Sequence, residues 1–393
     1  MLMILGADDV LYAMRHWHEG GIVGGLAGQF DHADWVGFRF YDLIFPLFVF
    51  LVGVSIVFSL GRLLEQEGRP AAYRRILRRF ALLFVIALIY SGGVARAWPD
   101  IRLLGVLNRI SLCYLAAALL YCHFRWRGLA AIGAGLLVGY WALMTFVPFP
   151  DVRPRTAEGQ LVIAEPPSSP PDWNATQLKA TNVAQLNWAA TNTLRGVFYQ
   201  GVNLANYLDQ KYLPGKKWDG TWDPEGLLST LPAIATCLLG VLAGLLLQRA
   251  DVPEPRKVLW LLGAGAASLV LGWLWSLQFP VIKKIWTSSY VLVAAGWSAI
   301  LLAAFHQVIA VWGFRRWCVP FVWVGANAIT LYLVNNIANP TGLARRLAGG
   351  DVQTFLDRTL GRGAGELVIA LMTAGLLLAL ARFLYQRKIF LRV

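Results

Sequence analysis

The stretch Tyr41-Asp42-Leu43-Ile44-Phe45-Pro46-Leu47-Phe48-Val49-Phe50-Leu51-Val52-Gly53-Val54-Ser55-Ile56-Val57-Phe58-Ser59-Leu60 decides the fold class. After Asp42 no ionisable side chain occurs before Leu60, and a run of about 20 apolar residues is long enough to cross a hydrocarbon core as a helix. The run lacks the strict alternation of an outer-membrane β-strand. Eight blocks of the same kind follow at 80–95, 102–122, 128–148, 226–248, 258–278, 285–308, 319–338 and 366–386. Of the 393 residues, 57% are hydrophobic and 15% charged, against about 25% charged in an ordinary soluble domain. A water-soluble enzyme is excluded. The expectation is an all-α integral membrane protein, multi-pass, a single polytopic domain over 1–393 with about ten transmembrane helices.

The net charge of +13 does not describe a nucleic-acid surface, because the basic residues occupy short loops between apolar blocks and form no stripe interleaved with aromatics. It describes topology. The segment 61–79 holds Arg62, Arg69, Arg74, Arg75, Arg78 and Arg79. Loops on the same side by alternation hold Arg125 and Arg127, then Arg249, Arg256 and Lys257, then Arg315 and Arg316, then the tail with Arg382, Arg387, Lys388 and Arg392. The opposite loops spread their basic residues over far more chain, so the dense set is read as cytoplasmic. The C-terminus then lies inside, residues 1–40 and the long loop 149–225 lie outside, and a bacterial chain would sit in the inner (cytoplasmic) membrane.

Cys113, Cys122, Cys237 and Cys318 fall in or beside apolar helices and read as small hydrophobes, with neither disulfide nor metal framework. No cleavable signal peptide is expected, since Met1–Leu5 is followed at once by Gly6, Asp8 and Asp9 with no basic n-region; the loop pattern calls for a first helix arriving from the cytoplasm, so the expectation is either a very short first crossing or a chain that begins inside it. The loop 149–225 is different in composition, with Pro166, Pro167, Pro170 and Pro171 beside Asn, Thr, Asp and several tryptophans. Asn174-Ala175-Thr176 is a three-residue glycosylation sequon that chance readily produces. No internal repeat of fixed period stands out.

Ionisable groups within a bilayer call for an explanation. Arg109 lies within the block 102–122 and is expected to face the bundle interior. Asp42 heads its block, where a carboxylate is favoured by the helix macrodipole; pairing with Arg109 or with a histidine is the competing reading. His123, beside Arg125 and Arg127, suits a headgroup contact, and His306 suits packing at an inner helix end. His16 and His18 form a lone His-x-His without a third ligand, so no metal site is expected. His32 precedes the helix that enters from outside.

Several motifs lie in order along the chain. His32-Ala33-Asp34-Trp35-Val36-Gly37 is followed by Asp42-Leu43-Ile44-Phe45-Pro46 through Gly53. Then come Ile101-Arg102-Leu103-Leu104-Gly105-Val106-Leu107-Asn108-Arg109, Trp222-Asp223-Pro224-Glu225-Gly226, Pro280-Val281-Ile282-Lys283-Lys284-Ile285-Trp286-Thr287-Ser288-Ser289-Tyr290, and Gly325-Ala326-Asn327-Ala328-Ile329. Together they resemble the heparan-alpha-glucosaminide N-acetyltransferase family over nearly the whole chain. The resemblance implies a transmembrane acyltransferase fold, acetyl-CoA as acyl donor from the cytoplasm, an extracytoplasmic sugar or glycan as acceptor, and a homodimer among membrane lipids, with no nucleic-acid partner.

It also implies roles. His32 becomes the base or transient acetyl carrier, and Asp42 orients it or neutralises its charge. Arg102, Asn108 and Arg109 position the acceptor or stabilise an oxyanion. Asp223 and Glu225 are acceptor-side groups, while Lys284, Trp286, Ser288 and Ser289 line the thioester end; Trp35 and Asn327 complete the binding set. Departures from the family pattern are Val36 for Asn, Leu104 for Pro, Asn108 for Gln and Ile282 for Asn. They touch the acceptor side, so the acceptor need not be glucosamine. The family's opening polar motif has no clear equivalent here, Asp8 being the nearest candidate. The competing function is a transporter or flippase for a lipid-linked sugar, which would have no special need of His32.

Overall fold

A computed structural model describes residues 10, 28–154, 172–174, 178, 180–361 and 363–391. Asp8, His16, His18 and the proline cluster 166–171 lie outside the described residues. The architecture is all-α. Long helices α1 (Ile44–Gln66), α2 (Gly68–Tyr90), α3 (Val106–His123) and α4 (Trp126–Phe146) precede a loop region with a short α5 (Leu204–Tyr212). Next come α6 (Thr230–Gln248), α7 (Glu254–Trp275), α8 (Ser288–His306), α9 (Val319–Ala326), α10 (Ala328–Ile337), α11 (Pro340–Ala348), α12 (Gly350–Leu360) and α13 (Ala364–Gln386).

Among the described residues seven helices are long and apolar enough to cross a membrane, or eight if one bent pair counts as a span. The sequence expectation of about ten included a first helix before residue 41, in a segment that lies mostly outside the described residues; two of the nine apolar blocks differ for physical reasons. The apolar block 80–95 is only the second half of α2, whose first half carries Arg69, Arg74, Arg75, Arg78 and Arg79; the helix has the length for a span without the composition. The block 319–338 is two helices, Arg316–Ala326 and Ala328–Ile337, bent by 64° at Asn327. A hydropathy window reads through such a bend because both arms are apolar.

Ala33–Phe38 and Phe45–Gln307 form one compact unit. Within it, α1 and α6 run parallel in backbone contact. A Cβ on Gly53 would lie 2.0 Å from the Cys237 carbonyl oxygen, and one on Gly240 would lie 1.9 Å from that of Phe50. Small residues are what permits such an approach in a membrane, where the hydrophobic effect does not drive helices together. Antiparallel α7 and α8 meet similarly at Gly265 and Gly296. Helix α3 packs between α2 and α6, and α4 packs on α6.

The loop that follows α4 has its own aromatic core, including Phe149, Phe198, Tyr207, Trp222 and Phe279. A short antiparallel pair, Phe149–Pro150 with Thr193–Leu194, closes it. Ala33–Phe38 is laid across this layer: Trp35 donates its indole N–H to the Phe198 carbonyl at 2.7 Å and packs edge-on to Trp222. The Gly37 amide donates to the Val281 carbonyl at 2.9 Å. The Asn174 side chain accepts the Val36 amide at 3.0 Å, so this sequon asparagine carries a structural hydrogen bond.

The second unit comprises the described residues of Met1–His32 with Arg39–Ile44 and Val308–Val393. There α9, α11 and α12 pack on α13, with Val324, Leu331, Leu377 and Ala381 as a small core.

Candidate functional site

Two constellations carry the sequence-derived residues, one in each unit. In the smaller unit a 3-10 turn, Phe40–Leu43, leads into α1. Asp42 sits in this turn, 1% exposed. One carboxylate oxygen accepts the Arg39 amide at 3.1 Å, which satisfies an orphan donor at the helix start. The other meets His32 Nδ1 at 2.8 Å. Arg39 in turn donates from its guanidinium to the His32 carbonyl at 2.9 Å, so the backbone that carries the histidine is pinned from the same turn. The imidazole lies against Tyr41, ring centroids 4.6 Å apart, and half of its side-chain surface is exposed, 52%. With Nδ1–H donated to a buried carboxylate, Nε2 is the basic nitrogen of the ring, the arrangement that orients an imidazole for proton transfer.

In the larger unit the start of α3 and the approach to α6 converge. Arg102 grips Asp223 through two bonds, Nε at 2.8 Å and Nη2 at 2.6 Å, and reaches Glu225 from Nη2 at 2.6 Å. The paired geometry is the strong, planar one available to arginine. Asp223 also accepts the amides of Trp218 and Glu225, each at 3.0 Å, and Arg102 stacks over Trp218 at 4.9 Å. Burial pushes the Glu225 carboxyl above its ordinary range; Arg109 opposes the shift, the Asp223 charge adds to it and Arg102 opposes it.

Arg109 is fully buried. Its Nη2 donates to Ser229 Oγ and, at 3.3 Å, to the Gly226 carbonyl. Its guanidinium carbon lies 5.0 Å from the Trp286 ring centroid. Nε and Nη1 have no hydrogen-bond partner, so two buried donors of a permanent cation remain to be met by an acceptor atom. Trp286 adopts φ +52°, a backbone conformation rare for a bulky residue. There its indole donates to Thr236 Oγ1 at 3.1 Å and its ring stands edge-on to Phe45 at 4.9 Å. Strain of this kind clusters at functional sites.

The remaining sequence-derived residues are held by their neighbours. Lys284 pairs with Asp219 at 3.0 Å and lies over Trp222. Asn108 accepts the Gly105 amide and donates to the Phe84 carbonyl, tying α3 to α2. Ser288 and Ser289 are fully buried, and their hydroxyls donate to the Leu137 and Pro280 carbonyls; in this structure they fix the turn into α8. Asn327 stands at the bend between α9 and α10, its amide donating to the Trp323 carbonyl at 3.3 Å, and its buried oxygen has no partner.

Asp209 is a residue that sequence reasoning missed. It lies on α5, 2% exposed, and accepts the Leu227 amide at 2.8 Å. A Cβ on Gly226 would come 1.9 Å from its carboxylate, so the glycine is what lets the carboxylate press onto the Asp223–Leu227 segment. Burial raises its pKa to about 7, with the Leu227 amide opposing, the Asp223 charge adding and Arg109 opposing. A lone aspartate on a nine-residue helix carries no motif; the only local signal was Gly226 in Trp222-Asp223-Pro224-Glu225-Gly226.

Residues 22–217 match the sequence profile of a family described as heparan-alpha-glucosaminide N-acetyltransferase, catalytic. The chain is 25% identical to the heparan-alpha-glucosaminide N-acetyltransferase of Mus musculus over 411 aligned positions, which cover 94% of this chain and 57% of that protein. It is 26% identical to the protein of the same description from Homo sapiens over 353 positions, covering 80% of this chain and 50% of the other. The chain thus spans about half the length of the curated relatives that it matches.

Proposed function

Given that the chain belongs to the heparan-alpha-glucosaminide N-acetyltransferase-like family, we propose that it is a multi-pass membrane acetyltransferase. It would move an acetyl group from acetyl-CoA to an amino or hydroxyl group of an extracytoplasmic sugar or glycan. The observation that carries this reading is the His32 Nδ1 contact with buried Asp42 at 2.8 Å. In the direct route, the acceptor N–H or O–H proton goes to His32 Nε2 as the acceptor atom bonds to the thioester carbonyl carbon. The tetrahedral oxyanion collapses, the C–S bond breaks, and the CoA sulfur takes the proton from the imidazolium. In the covalent route His32 Nε2 bonds the thioester carbonyl carbon, the C–S bond breaks and CoA leaves as the thiolate; the acceptor atom then bonds the acetyl carbon as the Nε2–C bond breaks, and the acceptor proton passes to the freed Nε2 and on to the CoA sulfur.

The other groups receive separate roles. The unpartnered Nε and Nη1 donors of Arg109 suit an oxygen that gains negative charge. Arg102, Asp223 and Glu225 form an acceptor-side polar surface, since sugars present donors and acceptors that match such groups. Trp35, Asn108, Lys284, Trp286, Ser288, Ser289 and Asn327 shape or support the binding regions. The dense basic loops and the C-terminus face the cytoplasm, and a homodimer is the proposed assembly.

The test compares wild type with His32→Ala in detergent, by calorimetry of acetyl-CoA binding and by thiol release. Binding by both with thiol release from wild type alone supports the acetyltransferase. Absence of binding by folded wild type overturns it in favour of a transporter for a lipid-linked sugar.

A further inference from the structure

Between the end of α10 at Ile337 and the start of α13 at Ala364 the chain folds α11 and α12 as a helical hairpin that contains no motif residue. At 9 and 11 residues the two helices measure about 14 and 17 Å. That is about half of a hydrocarbon core, so neither crosses a bilayer. Local chemistry sets sharp corners. Asn339 takes φ +47°, which asparagine tolerates, and its side chain accepts the Gly342 amide at 2.9 Å to start α11. Gly349 at φ +78° turns α11 directly into α12, and Gly361 and Gly363 at φ +102° and +92° turn α12 into α13, angles open to glycine without steric cost.

Asp357 fixes the height of the hairpin. Its Oδ1 accepts the amides of Gly363 and Gly365 at 3.2 and 2.9 Å, donors that the first turn of α13 leaves over. A Cβ on Gly365 would lie 2.6 Å from the Gln353 carbonyl oxygen. Helix α12 is therefore seated on the end of a helix that has the length and apolarity of a membrane span, and the hairpin lies where that span leaves the bilayer.

Each helix of the hairpin divides its surface in three. In α11, Pro340 and Ala344 are buried, while Leu343 and Leu347, one turn apart, are 49% and 61% exposed. Arg345 and Arg346 are exposed as well, Arg345 about 160° around the helix from Leu347. In α12, Gln353 and Asp357 meet α13, Val352 and Phe355 are 42% and 64% exposed, and exposed Arg358 stands about 120° from Val352. An apolar stripe between a packed face and a set of arginines suits a helix lying in the interfacial plane. There the apolar side chains reach roughly 5–10 Å into the boundary of headgroups and acyl chains, and the guanidinia extend to the level of the phosphates.

We propose that the α11–α12 hairpin is an interfacial anchor, with Leu343, Leu347, Val352 and Phe355 immersed in the leaflet and Arg345, Arg346 and Arg358 binding the phosphate groups of anionic phospholipid. By the charge-derived topology that leaflet is the outer one. The anchor stands independently of acetyl transfer.

The test places the full chain, on a Cys318→Ser background with one cysteine added, in nanodiscs of phosphatidylglycerol or of phosphatidylcholine. A fluorophore is attached at Leu347→Cys, at Phe355→Cys or, as the reference in water, at Trp188→Cys. It is quenched by aqueous acrylamide or by lipid with a nitroxide high on the acyl chain. The expected result at 347 and 355 is nitroxide quenching about twofold or more above the reference, with shielding from acrylamide. Quenching is expected to be stronger in phosphatidylglycerol, a difference lost in Arg345→Gln/Arg346→Gln. Acrylamide quenching equal to the reference at both positions overturns the anchor. Shielding from both quenchers also overturns it and assigns the surface to a protein contact, such as a second copy of this chain. Nitroxide quenching that is indifferent to lipid charge and to the double variant keeps the immersed stripe and overturns the phosphate contacts. Asp351→Cys should react with an impermeant thiol reagent on intact cells; reaction only after permeabilisation overturns the outer assignment.

Discussion

Asp42 gives a half-exposed imidazole a defined tautomer, and it does so from a position that also caps the turn before α1. Its replacement therefore separates two effects. Asp42→Asn keeps an oxygen for the Arg39 amide while removing the charge that stabilises an imidazolium, so turnover should fall on the order of 10²- to 10⁴-fold with acetyl-CoA affinity retained; single-turnover kinetics beside calorimetry check it. Asp209 makes a prediction of opposite kind. Its pKa is raised from the ordinary value of 3.8 to about 7, so the folded state binds a proton more tightly than the unfolded chain. The stability associated with that proton is present below about pH 4 and is lost as pH rises to about 7. Asp209→Asn mimics the protonated form, keeps an acceptor for the Leu227 amide and should flatten the fall in Tm between pH 5 and pH 8. An unchanged pH dependence of Tm in the variant would contradict the assignment.

At the scale of elements, the glycines of α1 and α6 make a prediction about packing. Gly240→Ala places a methyl group against the Phe50 carbonyl, and overpacking of this sort costs typically 1–3 kcal/mol; the measurable result is a lower Tm, with Gly53→Ala behaving alike and the double variant departing from additivity. This seam was invisible in the sequence, where Gly53 and Gly240 are two of 38 glycines. The long helices were legible because about 20 apolar residues have few alternatives to spanning a bilayer. The start of α2 was not, since hydropathy registers charge and ignores the continuity of backbone hydrogen bonds through Arg69–Arg79. At the site, the pairing of His32 with Asp42 was among the readings that local spacing left open, and a single turn of helix supplies it. The grip of Arg102 on Asp223 spans 121 residues, a separation that only tertiary structure can close.

At the scale of the whole molecule, the charge distribution predicts a sidedness that labelling can measure. Three of the four native cysteines are buried and Cys318 is half-buried, so Cys318→Ser provides a quiet background for single exposed cysteines. On it, Trp188→Cys should react with an impermeant thiol reagent added to intact cells, and Arg256→Cys should react only after permeabilisation. Inverse labelling of the pair would reverse the topology, and with it the sides assigned to donor and acceptor. The contact of α1 with α6 bears on a different property of the same molecule. Where the backbone of one helix touches the backbone of the other at Gly53 and Gly240, no chain of water molecules can thread along the seam. On the proposed function, the acetyl group would have to cross by a path other than this seam, which is closed to water at those two contacts.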